Sequence, residues 1–217
     1  MAQKKPPSYN VLFIGNSFTQ RNDLPALVAE LAAARGIQVR HELISAGGAS
    51  LRTHWNAGRA AQAIENGAFD FVVLQEQSTL PIKNAARMAE NVRLFAAAIQ
   101  QAGAKTVLYM TWARQHSPET QEFITAAYSS LAQELAAILV PVGQVWQKFR
   151  VQHQVPELYD RDQSHPTLAG TYLAACVFLA TLLKENPVGI DAGPAELAAS
   201  DRKVLQTAAW KNRRPAT

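Results

Sequence analysis

Apolar residues recur along this chain with two periods, and the periods alternate. Val11-Leu12-Phe13-Ile14 is an unbroken apolar run, as a strand buried on both faces requires, and Gly15 follows it where a tight turn has no room for a Cβ. Leu24, Leu27, Val28 and Leu31 then recur at i, i+3, i+4 and i+7, which predicts a helix with Asp23 as its cap, Pro25 in its first turn and Gly36 at its end. Residues 37–44 predict a second strand, followed by a glycine-rich loop. A polar helix is expected around 58–66, stopped by Gly67, and a third strand over 69–74. An alanine-rich helix over 85–102 closes at Gly103, and a fourth strand covers 106–112. Ser117-Pro118-Glu119 opens another helix in cap-then-proline order. A short fifth strand, 138–142, precedes a helix carrying Val145, Trp146 and Phe149, and a last helix spans 167–183. Strand-helix repetition of this kind predicts an α/β fold. It is a three-layer α/β/α sandwich with a mostly parallel, five-stranded sheet.

The chemistry collects at two places. Ser17 lies just past the first strand, at the carboxyl edge where open α/β sheets bind ligands. A free serine hydroxyl is a poor nucleophile and needs a base to take its proton, with a third group to hold that base in the right tautomer. Asp162-Gln163-Ser164-His165-Pro166 offers both: Asp162 and His165 are three residues apart and can point the same way, with Pro166 fixing the backbone before the next helix. Asp160 lies close by, without that spacing.

These blocks together resemble the SGNH, or GDSL-like, hydrolase superfamily. Gly15-Asn16-Ser17-Phe18 stands for its first block, Ser45-Ala46-Gly47-Gly48-Ala49-Ser50 for the glycine block, and Asp162 to Pro166 for the last. The family's Gly-x-Asn-Asp block after strand three is absent, and Leu74-Gln75-Glu76-Gln77-Ser78 stands there instead, so the chain reads as a divergent branch. The resemblance implies a flavodoxin-like fold and a serine esterase with Ser17, Asp162 and His165 as catalytic triad. It also implies an acyl-enzyme and an oxyanion hole. The N–H groups of Ser17 and Gly48 are the first two expected donors. For the third, a carboxamide remains at Gln75 or Gln77, and Gln75 is favoured because it follows Leu74 directly at the strand end. Both glutamines binding loop backbone is the alternative.

Trp55 and Trp112 follow strands two and four, where they would bind substrate by stacking on a sugar or facing an acyl chain, or else close the core. Glu76 has no visible partner and reads as solvated or salt-bridged. His41, His54, His116 and His153 form no metal-ligand spacing, so no metal and no cofactor are expected.

Composition narrows the picture a little further. The 217 residues suit one domain, with a core over about residues 9–185 and a short basic tail at the C-terminus. Of the net charge of +4, part comes from Lys4, Lys5, Lys211, Arg213 and Arg214 near the ends, which read as solvated, and nucleic-acid binding is not supported. Cys176, the single cysteine, sits in an apolar helical run as a small buried hydrophobe. No stretch reaches transmembrane length and no signal peptide is visible, so a cytoplasmic location is expected for the chain as given, with secretion of a longer precursor as the alternative. The expected substrates are small or carbohydrate O-acyl esters. A lipase or thioesterase is the alternative within the family, and a non-catalytic nucleotide-binding domain the alternative outside it. The latter lacks a Gly-x-Gly-x-x-Gly or Gly-Lys-Ser/Thr run after any strand.

Overall fold

The computed structural model describes residues 6–214; Lys4 and Lys5 lie outside the described residues. In chain order the elements are β1 (Ser8–Gly15), α1 (Ser17–Gln20), α2 (Leu24–Ala33), β2 (Gln38–Ser45), α3 (Leu51–Ala57), α4 (Arg59–Asn66) and β3 (Phe71–Leu74). They continue with α5 (Leu80–Lys83), α6 (Ala85–Gln101), β4 (Lys105–Tyr109), α7 (Gln121–Glu134), β5 (Ile138–Val140), α8 (Val142–Gln152), α9 (Leu168–Thr181) and α10 (Ala199–Asn212). The strands form one sheet in the order β2-β1-β3-β4-β5, and every neighbouring pair is parallel.

The apolar run of β1 is sorted by the pleat. Val11 and Phe13 face a cluster built with α2, α8, α9 and α10, while Leu12 and Ile14 face the opposite cluster built with α3, α4, α6 and α7. Both sides of the sheet are therefore covered, as a parallel sheet requires. Cys176 is fully buried in α9, where it packs as a small apolar side chain.

Three expectations need correction. The core does not stop near residue 185: α10 packs on α9, and Ile190, Leu197, Leu205, Ala208 and Ala209 belong to the same buried cluster. The C-terminal region is thus helical to Asn212, and Arg213 lies over the Trp210 ring at 3.5 Å rather than forming a loose basic tail. Between the glycine loop and the polar helix, where no element was expected, the chain forms α3. Ser50 caps α3, its hydroxyl accepting the N–H of Thr53.

Candidate active site

Ser17 stands two residues beyond β1, at the start of α1, where the Asn16 side chain caps the turn by accepting the N–H of Phe18. Its Oγ lies 2.8 Å from Nε2 of His165. The other ring nitrogen, Nδ1, bonds Oδ2 of Asp162, and Oδ1 of the same carboxylate accepts the N–H groups of His165 at 2.9 Å and Ser164 at 3.0 Å. This pattern places the proton of the neutral imidazole on Nδ1 and leaves Nε2 as an acceptor facing the serine hydroxyl. Burial opposes ionisation of Asp162, but the hydrogen bonds from the His165 ring and from these two N–H groups outweigh it. They hold the carboxyl down at about 2.

The loop that carries His165 is tied down from several directions. Asp160 donates its N–H to the His165 carbonyl and accepts that of Gln163, closing a compact turn in which Gln163 is left-handed (φ 58°). Gln163 accepts the N–H of Gln115 beyond β4, and Arg21, just after α1, pairs with Asp160. Asn22 donates to the Thr171 hydroxyl at 2.9 Å. The serine turn and the histidine loop are thereby linked directly. Phe18 packs 5.3 Å from the His165 ring and 5.0 Å from Trp112.

Around Ser17, Gly48 adopts φ 67°, a conformation that glycine takes at little cost, on an exposed turn after β2. Neither the Ser17 nor the Gly48 N–H has a hydrogen-bond partner among the described residues. The Nδ2 of Asn16 donates to the Ala49 carbonyl at 3.0 Å and so fixes this turn beside the serine.

Gln75 is not the expected donor. Its side chain is wholly buried: Oε1 accepts the Asn16 N–H and the Thr19 hydroxyl, both at 2.9 Å, while Nε2 donates to the Glu76 carbonyl. Register explains the inward turn, because Gln75 extends the β3 ladder by one residue, donating to Ile14, and its side chain then falls against the turn after Gly15. Gln77 differs. It is half-buried, its Oε1 accepts the Thr79 N–H and hydroxyl, and its Nε2 has no partner among the described residues.

Neither tryptophan takes the substrate-binding place, and for Trp112 the alternative of closing the core holds. Trp112 is 2% exposed, stacks on Trp146 at 3.9 Å and donates its indole N–H to the Ser164 carbonyl, so it supports the histidine loop from beneath and offers no face to a substrate. Trp55 lies on α3 against Phe95, in a groove with Arg52, Glu90, Arg93 and Leu94 that none of Ser17, Asp162 and His165 lines. Glu76 is neither solvated nor salt-bridged. It is fully buried, and burial pushes its carboxyl up against the hydrogen bonds it accepts from Asn91, Gln77 and Leu51. His54 is buried too, with Nε2 on the Gly15 carbonyl at 2.7 Å. The bracing roles of Asn16, His54 and Glu76 have no local sequence signal, since each bonds a segment distant in the chain.

A protein from Slackia heliotrinireducens assigned as an SGNH hydrolase is 31% identical to this chain, with a TM-score of 0.69 over 81% of this chain and 99% of that one. The chain belongs to the SGNH hydrolases. This SGNH hydrolase also shares its fold with a DUF4886 family protein from Bacteroides uniformis, at 21% identity and a TM-score of 0.79, covering 94% of each chain. An acetyl xylan esterase from Geobacillus stearothermophilus has the fold at 16% identity and a TM-score of 0.60, over 88% of this chain and 100% of that one. No protein-family model matches the hydrolase, and no curated protein does.

Proposed function

We propose that this SGNH hydrolase is a serine esterase acting on O-acyl esters through Ser17, His165 and Asp162. The observation that carries the reading is the continuous line of hydrogen bonds from the Ser17 hydroxyl through both ring nitrogens of His165 to Asp162. Nε2 takes the proton as Oγ attacks the ester carbonyl, and Asp162, ionised, stabilises the imidazolium that forms. The proton then passes to the departing alkoxide, leaving an acyl-enzyme. Water, deprotonated by the same Nε2, releases the acid and restores the serine.

The oxyanion needs donors aimed at it, and the unpartnered N–H groups of Ser17 and Gly48 are two. Gln77 takes the third place in this reading. Its carbonyl oxygen is held by Thr79, which turns the free amide N–H₂ away from that turn, whereas every polar group of Gln75 is committed to the interior. O-acetyl groups on carbohydrates are the first substrates to test, since a neighbour of the same fold is an acetyl xylan esterase.

Hydrolysis of p-nitrophenyl esters of increasing chain length, by wild type and Ser17→Ala, tests the reading. Turnover that falls to the uncatalysed rate in the variant supports it, and near wild-type turnover by the pure variant refutes it. A fluorophosphonate should label the wild type at Ser17, and an adduct on another serine would move the site.

A further inference from the structure

Glu76 is a carboxylate in the interior with no lysine or arginine within ion-pairing distance among the described residues. Burying such a group is costly unless its lone pairs accept hydrogen bonds. Here they accept from three donors in three segments. Oε1 accepts the N–H of Leu51 at 2.9 Å and of Gln77 at 2.7 Å, and Oε2 accepts Nδ2 of Asn91 at 2.9 Å. Leu51 begins α3, so the carboxylate closes the amino end of that helix as a side-chain cap would. Asn91, on α6, accepts the Arg52 Nε at 2.9 Å through its own Oδ1, so one amide relays Glu76 to a guanidinium. The Glu76 N–H is also engaged, donating to the Tyr128 hydroxyl.

What Glu76 joins is specific. A single oxygen of its carboxylate, Oε1, holds both the backbone of Gln77 and the first turn of α3, directly after the loop that carries Gly48, while Oε2 is fixed by Asn91. We infer that Glu76 is a positioning residue, whose carboxylate sets the separation of the Gly48 N–H and the Gln77 amide so that both reach one oxyanion. This rests on the esterase reading above and deepens it. It also gives a reason for the departure from Gly-x-Asn-Asp. In Gln75-Glu76-Gln77 the first side chain braces the nucleophile turn and the second ties two donor segments together. That leaves the third with an amide N–H₂ that has no partner among the described residues, available to the oxyanion on this reading.

The hydrogen-bond polarity supplies the test. Glu76→Gln preserves shape but sets two amides against each other. If Asn91 keeps its orientation, its N–H₂ meets the introduced N–H₂; if it flips, its N–H₂ meets Arg52 instead. The double variant Glu76→Gln/Asn91→Asp restores every donor–acceptor pair and moves the charge one partner along, against Arg52. With p-nitrophenyl acetate, Glu76→Gln should lower kcat roughly 10²-fold with KM little changed, the signature of displaced transition-state donors. Backbone amide exchange at Leu51 and Gln77 should accelerate in the same variant. The double variant should recover both kcat and slow exchange. Unchanged kcat in Glu76→Gln overturns the inference, as does failure of the double variant to recover folding, turnover or exchange protection. Absence of Ser17-dependent turnover in the wild type would instead remove the esterase reading, and the exchange measurement would then test the tie by itself.

Discussion

Gln75 and Gln77 carry the same carboxamide two residues apart, and the structure gives them opposite consequences on truncation. Gln75→Ala strips the Asn16 N–H and the Glu76 carbonyl of their side-chain partners at a site with no solvent to replace them. A buried backbone group left unpaired costs about 1–3 kcal/mol, so the two together cost about 4 kcal/mol, with the Thr19 hydroxyl free to rotate elsewhere. For a domain of this size that corresponds to a melting temperature lower by about 8–16 °C. Gln77→Ala removes an acceptor from Thr79 on a half-exposed turn where water can substitute, so the melting temperature should move by only about 2 °C. Its kcat should nevertheless fall roughly 10²-fold with KM nearly constant, the loss of a donor used mainly in the transition state. Thermal melts and steady-state kinetics on the two variants decide the matter. A Gln75→Ala protein that melts like wild type, or a Gln77→Ala protein that turns over like it, refutes the assignment.

Other perturbations read separate parts of the site. Asp162→Asn should cut kcat by on the order of 10³-fold, because an amide at that position can donate its N–H to Nδ1 and hold the imidazole in the wrong tautomer. Asp160→Asn, which loses only a half-exposed pair with Arg21, should stay within a few-fold of wild type, and the reverse ranking would overturn the assignment. Asp162 titrates at about 2 instead of the ordinary 3.8, so the stability it adds is complete above about pH 4 and disappears as pH falls through 2. The melting difference between wild type and Asp162→Asn should shrink as pH falls through that window. Gly15→Ala would place a Cβ 2.6 Å from both Gln75 Oε1 and Thr19 Oγ1, two side chains already bonded to each other. Destabilisation of about 1–3 kcal/mol is expected by chemical denaturation, and an unchanged midpoint would show that the brace yields. Cys176, wholly buried and with its thiol pushed up by that burial, should react with a thiol reagent only after unfolding.

The sheet was legible because its central strands are short apolar runs bounded by glycine or polar residues, a signal that survives without knowing what packs on them. Some helices were not, α3 and α10 among them. In α3 only Leu51 and His54 are buried, and its cap, Ser50, is hidden inside the glycine block. In α10 the buried face is Leu205, Gln206, Ala208 and Ala209, where alanine and a glutamine bonded to Ile190 and Tyr172 stand in for the expected apolar stripe. The contacts between Ser17, His165 and Asp162 were legible for a different reason. Half of that geometry is local, since a three-residue spacing suffices to bring Asp162 onto the His165 ring. The choice between Gln75 and Gln77 was not local at all. It follows from the pairing of Leu74 with Ile14, which decides which side chain after β3 falls inward.

The same contrast bears on how the site keeps its shape. The side chains of Asp162 and His165 are 45% and 26% exposed, so the relay sits at the solvent boundary, and water weakens its electrostatics until a substrate covers it. Rigidity must then come from below. The turn after β1 is held by Gln75 through the Asn16 N–H, by Asn16 through Ala49, and by His54 through the Gly15 carbonyl. Each tie is a side chain bonded to the backbone of another segment, and each is buried, where a hydrogen bond is strong and its loss is not repaired by water. On the proposed esterase reading, an exposed Asp162–His165 pair mounted on a buried polar frame leaves the rim above it free to vary with the alcohol being bound, while the distances among Ser17, His165 and the proposed oxyanion donors stay fixed by groups that no substrate touches.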